Sequence, residues 1–261
     1  MIEIHTELTR HLKELHLPTF RDCYQSEADL ARQESLLHEH YLLELAKREC
    51  EERAHKRTVR YRRESKLPLE KSLEVFDRKR LPAKQNALVE HLIEGSFVDR
   101  HENVLAFGNP GSGKTHLLCA IGQELILQGR RILFIPCNLL VQELLIAKRD
   151  LKLARVLKRL SRYQALIIDD IGYVQQSRQE MEVLFTLLAD RYERGTVMLT
   201  SNLPFSRWEQ IFKDPMTTAA AIDRLVHHSI ILELNLPSYR LEQSKKDKGI
   251  RIKQRSKMHG K

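Results

Sequence analysis

Residues 108–115 read Gly108-Asn109-Pro110-Gly111-Ser112-Gly113-Lys114-Thr115, which fits the pattern G-x-x-x-x-G-K-[ST]. Glycines at this spacing let backbone N–H groups turn inward around an anion, and a helix that begins at the loop adds partial positive charge. Such a loop cradles a phosphate chain. Lys114 is expected at the β- and γ-phosphates of a nucleoside triphosphate, and the Thr115 hydroxyl at Mg2+. His116 closes the candidate phosphate-binding run. The apolar run Asn103-Val104-Leu105-Ala106-Phe107 in front reads as a buried strand, and His116 to Gln128 behind has a helical pattern. Strand, loop and helix are the context the motif requires.

A second run, Ala165-Leu166-Ile167-Ile168-Asp169-Asp170-Ile171-Gly172, carries four apolar residues into two carboxylates. A phosphate-loop site needs one carboxylate at a strand end to orient Mg2+, which is expected to be Asp169. A second can polarise an attacking water as general base, and Asp170 stands in that place. The β-rich run Thr196-Val197-Met198-Leu199-Thr200 ends in Ser201-Asn202. Asn202 is the candidate for positioning the water, although an Asn before Pro204 also suits a turn or helix cap. Arg224, in Ala220-Ala221-Ile222-Asp223-Arg224-Leu225, lies on an expected short helix before the last strand. It is placed to serve a neighbouring subunit's γ-phosphate as an arginine finger, or to pair with a surface carboxylate.

The elements that must position these groups alternate. Expected strands are 103–107, 131–136, 165–169, 196–200 and 229–234. Expected helices are 115–128, 138–160 with a break near Arg149-Asp150, 178–193 and 219–226. Alternation of this kind gives an α/β core: a five-stranded parallel sheet with flanking helices and its binding site at the carboxyl ends of the strands. Residues 1–66 carry no strand signal and read as a small all-α N-terminal domain. A linker follows over 67–100, with a helix from Pro82 to Glu94, then the core over 101–237 and a basic tail over 238–261.

Lys and Arg exceed Asp and Glu by 44 to 35, a net charge of +9, which favours a polyanionic partner. Arg53, Lys56, Arg57, Arg60, Arg62, Arg63 and Lys66 crowd the end of the third N-terminal helix against a single acid, Glu64. Like charges packed this densely suit contact with nucleic-acid phosphates, the alternative being a solvated helix end. Lys148, Lys152, Arg155 and Arg159 recur at helical spacing and are expected along one face, either touching DNA or solvated. No run approaches the ~18 apolar residues of a membrane span. Cys23, Cys50, Cys119 and Cys137 show no paired spacing, and with no signal pattern at the N-terminus a cytoplasmic protein with reduced thiols is expected.

The strings Leu199-Thr200-Ser201-Asn202-Leu203-Pro204-Phe205, Asp223-Arg224-Leu225-Val226-His227-His228-Ser229 and Ser238-Tyr239-Arg240 are more particular than the phosphate loop. Together with the two motifs above, the chain closely resembles the IstB family, helper AAA+ ATPases of insertion-sequence transposons, and more distantly the DnaC helicase loader and the DnaA initiator. The resemblance implies a P-loop AAA+ fold without a C-terminal helical lid domain. It also implies ATP-controlled self-assembly as a ring or filament on double-stranded DNA, target-site selection, and stimulation of a partner transposase. It makes Arg224 the finger acting in trans. Asp170 departs from the Glu that often stands at its position, and a shorter base implies slower hydrolysis.

These residues set an ATPase with ATP and Mg2+ as cofactors and DNA as partner against three other functions. A replicative helicase loader keeps the ATPase and changes the partner. A small-molecule kinase has less need of the second carboxylate and of the basic flanks. A passive DNA-binding module conflicts with the intact Lys114, Thr115, Asp169 and Asp170. No carboxylate cluster outside this site suits a two-metal nuclease.

Overall fold

The structure is a computed structural model and describes residues 2–171, 177–208 and 215–239. The chain divides into two compact units, Met1–Arg60 and Tyr61–Lys261.

The first unit contains helices Ile2–Glu14 (α1), Pro18–Gln33 (α2) and most of His38–Glu64 (α3). Pro18 opens α2, where its missing N–H costs nothing in a first helical turn. The neighbouring N–H groups of that turn are taken by a carboxylate from α3. Glu49, buried, accepts from Thr19 N at 2.9 Å and Phe20 N at 3.4 Å. Burial alone pushes the Glu49 carboxyl up, but the Arg53 guanidinium and the Thr19 and Phe20 amides more than offset this and hold it below its ordinary 4.5. Arg53 donates to Glu49 at 2.7 Å and to the His16 carbonyl at 2.5 Å, and Lys56 pairs with Glu52 at 3.1 Å. Two of the cations expected at DNA phosphates therefore also have partners within the fold. Arg57 and Arg63 are exposed, with no ion pair among the described residues.

The second unit is built on strands Asn103–Phe107 (β1), Ile132–Pro136 (β2), Ala165–Ile171 (β3), Thr196–Ser201 (β4) and Ser229–Glu233 (β5). Every pairing is parallel, in the order β2-β3-β4-β1-β5. Alternate residues feed opposite faces, as the two-residue strand period requires. On one face Leu105, Ile168 and Leu199 pack with apolar residues of Cys137–Arg149 (α7), Leu153–Leu160 (α8), Arg178–Arg191 (α9) and Pro215–Val226 (α10). On the other, Val104, Ile167 and Met198 pack with Ala83–Glu94 (α4), Ser96–Asp99 (α5) and Lys114–Leu127 (α6). Burial on both faces explains why the strands read as continuous apolar runs.

Beyond Arg60 the end of α3 belongs to the second unit and is tied to the sheet. The Phe134 amide donates to the Ser65 carbonyl at 2.8 Å, and Arg131 pairs with Glu64 at 2.8 Å and lies over the Tyr61 ring.

One expectation about charge needs correction. Lys148, Lys152, Arg155 and Arg159 do not share a helical face. The helix stops at Arg149, Leu151 takes a left-handed φ of 56°, and Lys152 caps the start of α8. The amides of Leu151 and Lys152 return to the Lys148 and Ala147 carbonyls at 3.2 and 2.7 Å, a Schellman closure that turns the chain. Lys148 pairs with Glu182 at 2.7 Å and Arg159 with Glu143 at 2.5 Å.

Arg191, 3% exposed, donates to the carbonyls of Leu160, Tyr163, Gln164 and Thr196 at 3.0–3.2 Å. Burial lowers its pKa to about 10, so it stays charged at neutral pH and knits the amino ends of β3 and β4. None of the four cysteines is in a disulfide, and burial pushes the Cys119 thiol up to about 12.

Candidate nucleotide site

The sheet order sets the site. Because β4 lies between β1 and β3, the tip of β4 separates the phosphate loop after β1 from the paired carboxylates on β3. Parallel register brings Ala106 beside Thr200 and Phe107 beside Ser201. On the other side of β4 the register slips between Ile168 and Ile171, so Asp169 and Asp170 form a bulge. Asp170 takes a φ of +66°, a conformation Asp tolerates better than most residues, and such strain is characteristic of functional sites.

The loop needs its glycines for close approach. A Cβ on Gly108 would collide with the Leu234 carbonyl oxygen, and one on Gly111 with the Ser238 hydroxyl; their φ values are +149° and +80°. Asn109 and Pro110 complete the turn, and Gly113 ends it at the start of α6. Ser112 is buried and its hydroxyl has no partner among the described residues, an orphan donor facing into a loop built for an anion.

Three polar groups meet around Asn202. Lys114 Nζ donates to Asn202 Oδ1 at 2.6 Å and to the carbonyls of Gly108 and Asn109 at 2.8 and 2.9 Å. Asn202 Nδ2 donates to Asp170 Oδ1 at 2.9 Å. The amide orientation is forced, since an ammonium only donates and a carboxylate only accepts. A second chain runs alongside. Thr115 Oγ1 and Thr200 Oγ1 both donate to Asp169 Oδ1 at 2.7 Å, and Thr200 Oγ1 accepts the Asp170 amide at 2.7 Å. Burial raises the Asp170 carboxyl above its ordinary 3.8; the neighbouring Asp169 charge adds to this and Lys114 opposes it.

Thr115 and Asp169 present two hard oxygen donors on one spot, which fits Mg2+. The Ser112 orphan and the Lys114 ammonium fit the oxygens of a phosphate chain.

These groups line a cleft of about 450 Å³, a size typical of small-molecule sites. Val75, Phe76 and Arg80 from the linker, and Leu236 and Tyr239 beyond β5, also line it. His116 lines the cleft too: its Nε2 donates to the Ser72 carbonyl at 2.9 Å, and its ring meets Phe76 edge-on.

Lys114, Thr115, Asp169, Asp170 and Asn202 are thus brought together as their spacing led one to expect. Arg224 is not among them. It lines a separate cleft with Arg100, Tyr192 and His228, and its guanidinium lies 4.6 Å from the Phe185 ring centre. In the sequence Thr200 reads as a strand residue, and its place next to Ser201-Asn202 at a strand tip is the signal of its role. No local pattern marked Phe76 or Arg80. Gly172, Arg240 and the cations of the tail lie outside the described residues.

A parallel sheet of this order, with a phosphate loop on β1, paired carboxylates on β3 and a polar strand tip between them, defines the class as a P-loop AAA+ nucleotide-binding fold. Solved structures agree on the fold. The DnaC helicase loader superposes with a TM-score of 0.54 at 17% identity, over 63% of this chain and 97% of its own. AMPPCP-bound DnaA from Aquifex aeolicus superposes with a TM-score of 0.54 at 18% identity, over 70% of this chain and 56% of its own. Residues 10–247 match the family described as IstB-like ATP binding protein, and the chain belongs to that family. It is 42% identical over 230 residues to an insertion-sequence ATP-binding protein of Sinorhizobium fredii, spanning 88% of this chain and 77% of the relative. It is 36% identical over 231 residues to the corresponding protein of insertion sequence IS5376 from Geobacillus stearothermophilus, spanning 88% and 92%. Among the described residues no helix is long and apolar enough to cross a membrane.

Proposed function

We propose that this protein is an ATPase helper of transposition. It binds ATP, assembles with copies of itself on double-stranded DNA, and recruits or stimulates a partner transposase until hydrolysis releases the complex. The observation that carries the ATPase reading is the Lys114–Asn202–Asp170 chain, which links the phosphate-binding lysine to a half-buried carboxylate through one amide. The insertion-sequence relatives support the transposition setting.

In this reading the phosphate-loop amides and Lys114 hold the β- and γ-phosphates. At Thr115 and Asp169 a bound Mg2+ supplies neutralisation of the charge on the phosphoryl oxygens. Asn202 orients a water toward the γ-phosphorus, and Asp170 accepts its proton. The water oxygen forms a bond to phosphorus, the bond from the γ-phosphorus to the bridging oxygen breaks, and ADP and inorganic phosphate leave. The raised pKa of Asp170 makes it a better proton acceptor than an ordinary aspartate.

Arg224 belongs to a different cleft, which is what a residue serving a neighbour's γ-phosphate requires. ATP is then sensed only while subunits are apposed, and loss of the γ-phosphate loosens them. Arg57 and Arg63 on α3 are the foremost candidates for contacting DNA phosphates, with Arg53, Lys56, Arg60, Lys148, Lys152 and Arg155 as further candidates. The test is steady-state ATP turnover with and without double-stranded DNA. Turnover that ignores DNA at every protein concentration would remove the proposal.

A further inference from the structure

The string Asp223-Arg224-Leu225-Val226-His227-His228-Ser229 carries two histidines that the nucleotide cleft does not use. In the fold they stand beside Glu193. One donor atom from each of Glu193, His227 and His228 lies within 4.8 Å of the others, and all three residues are exposed. Two chain turns, far apart in sequence, bring them there. Helix α9 ends at Arg191, the amides of Arg194 and Gly195 return to the Arg191 carbonyl at 2.9 and 3.0 Å, and Glu193 takes a left-handed φ of 55°. Helix α10 ends at Val226. The His227 amide donates to the Asp223 carbonyl at 2.9 Å, and the His228 carbonyl accepts the Asn103 amide of β1 at 2.7 Å. The two imidazoles meet edge-on, their centres 4.2 Å apart. The Tyr192 hydroxyl is hydrogen-bonded to His227 Nδ1 at 3.1 Å, the kind of outer contact that orients a ligating ring.

We propose that Glu193, His227 and His228 bind a divalent transition-metal ion of the zinc class, and that the ion clasps the ends of α9 and α10. Two imidazoles and one carboxylate suit zinc, whereas magnesium and calcium take oxygen donors. Three protein ligands leave the fourth tetrahedral position to water. With metal–ligand bonds of about 2.1 Å, two donors on one zinc stand about 3.4 Å apart, so short torsions of these exposed side chains close the cluster onto the ion. The charge is also well placed. The ligands follow the last turns of two helices, where unpaired carbonyls present partial negative charge. None of the three lines the nucleotide cleft, but Glu193 and His228 share a cleft with Arg224. The clasp therefore fixes the end of the helix that carries this arginine.

Titration calorimetry of the full chain with zinc chloride, in a buffer that does not chelate, tests this. The wild type should take up zinc at this site, and cobalt in its place should give the intense visible absorption of a tetrahedral ion. His227→Ala, His228→Ala and Glu193→Gln should each weaken that binding about a hundredfold, and Tyr192→Phe about tenfold through loss of the orienting contact. All three ligands are exposed, so the variants keep the fold, which circular dichroism checks. Zinc should raise the Tm of the wild type and leave that of His228→Ala unchanged, because an ion held only by the folded chain stabilises it. A wild type that binds no zinc overturns the site. Zinc binding that survives in all three ligand variants also overturns it, because other side chains would then hold the ion. Binding that is lost in the variants but leaves the wild-type Tm unmoved overturns the clasp.

Discussion

Asn202 holds Lys114 and Asp170 at opposite ends of one amide, its Oδ1 2.6 Å from Lys114 Nζ and its Nδ2 2.9 Å from Asp170 Oδ1. In the proposed reading the amide couples the lysine assigned to the phosphates to the carboxylate assigned to the proton. Asn202→Ala should leave ATP affinity within a few-fold and lower kcat by roughly 10²-fold, the usual loss for one positioned donor. Single-turnover hydrolysis beside equilibrium binding separates the two effects. A parallel loss of affinity and no change in kcat would place Asn202 in binding alone.

Asp170 combines a positive φ with a raised pKa, and the two give opposite signs for stability and for activity. A carboxyl whose folded pKa lies above its unfolded value stabilises the fold below the unfolded pKa and loses that contribution as pH rises through the folded pKa. At neutral pH the ionised group therefore works against folding. Asp170→Asn tolerates the same φ and keeps an acceptor for Asn202, so it should melt at or above the wild-type temperature at pH 7. It should also bind ATP and lose roughly 10²- to 10⁴-fold in hydrolysis. In the wild type, the acid limb of the turnover-against-pH curve should lie above the pH of an ordinary aspartate. Normal turnover by Asp170→Asn would remove it as the base.

Leu151 occupies the left-handed position of the Schellman closure after α7, is 94% exposed, and packs against little. A glycine there meets no steric penalty. Leu151→Gly should raise stability by about 0.5–1 kcal/mol, less what the unfolded chain gains in entropy. Urea denaturation at constant m-value measures it, and a drop in the midpoint would mean that the entropy gained by the unfolded chain outweighs the relief at the left-handed position.

Arg57 and Arg63, exposed at the end of α3, should contribute to DNA affinity through charge alone. Replacing each by Ala should reduce the slope of log K against log salt by roughly 0.9 for every DNA phosphate left without its cation, and sequence preference should not change. An identical slope would make this part of the helix a solvated surface.

The sequence made the site's main groups legible because their chemistry is local. A glycine loop between strand and helix, two carboxylates ending an apolar run, and an Asn at a strand tip each announce themselves within a few residues. Strand β1 falls where its apolar run lies, and the break between α7 and α8 falls where two charged residues interrupt the pattern. What stayed hidden depends on distant pairing. Thr200 acts only because β4 inserts between β1 and β3. Asn103 reads as an ordinary strand residue, yet it accepts the Val197 amide and donates to the Leu225 carbonyl, joining β1 to β4 and to α10. Arg191 looks like one more surface cation, and only the folded chain shows the four carbonyls it ties. The supposed basic face of 148–159 failed for the converse reason: periodicity counts residues through a turn that redirects the chain.

Composite ATP sites are proposed to form when this chain assembles on DNA. The most direct test is steady-state ATP hydrolysis across a range of protein concentrations, with and without double-stranded DNA, in wild type and Arg224→Ala. The account predicts DNA-stimulated turnover that rises more than linearly with protein. It also predicts that Arg224→Ala abolishes the stimulation, and that mixing Arg224→Ala with Asp170→Asn subunits restores part of it. A rate per subunit independent of both DNA and protein concentration, and untouched by Arg224→Ala, would contradict it.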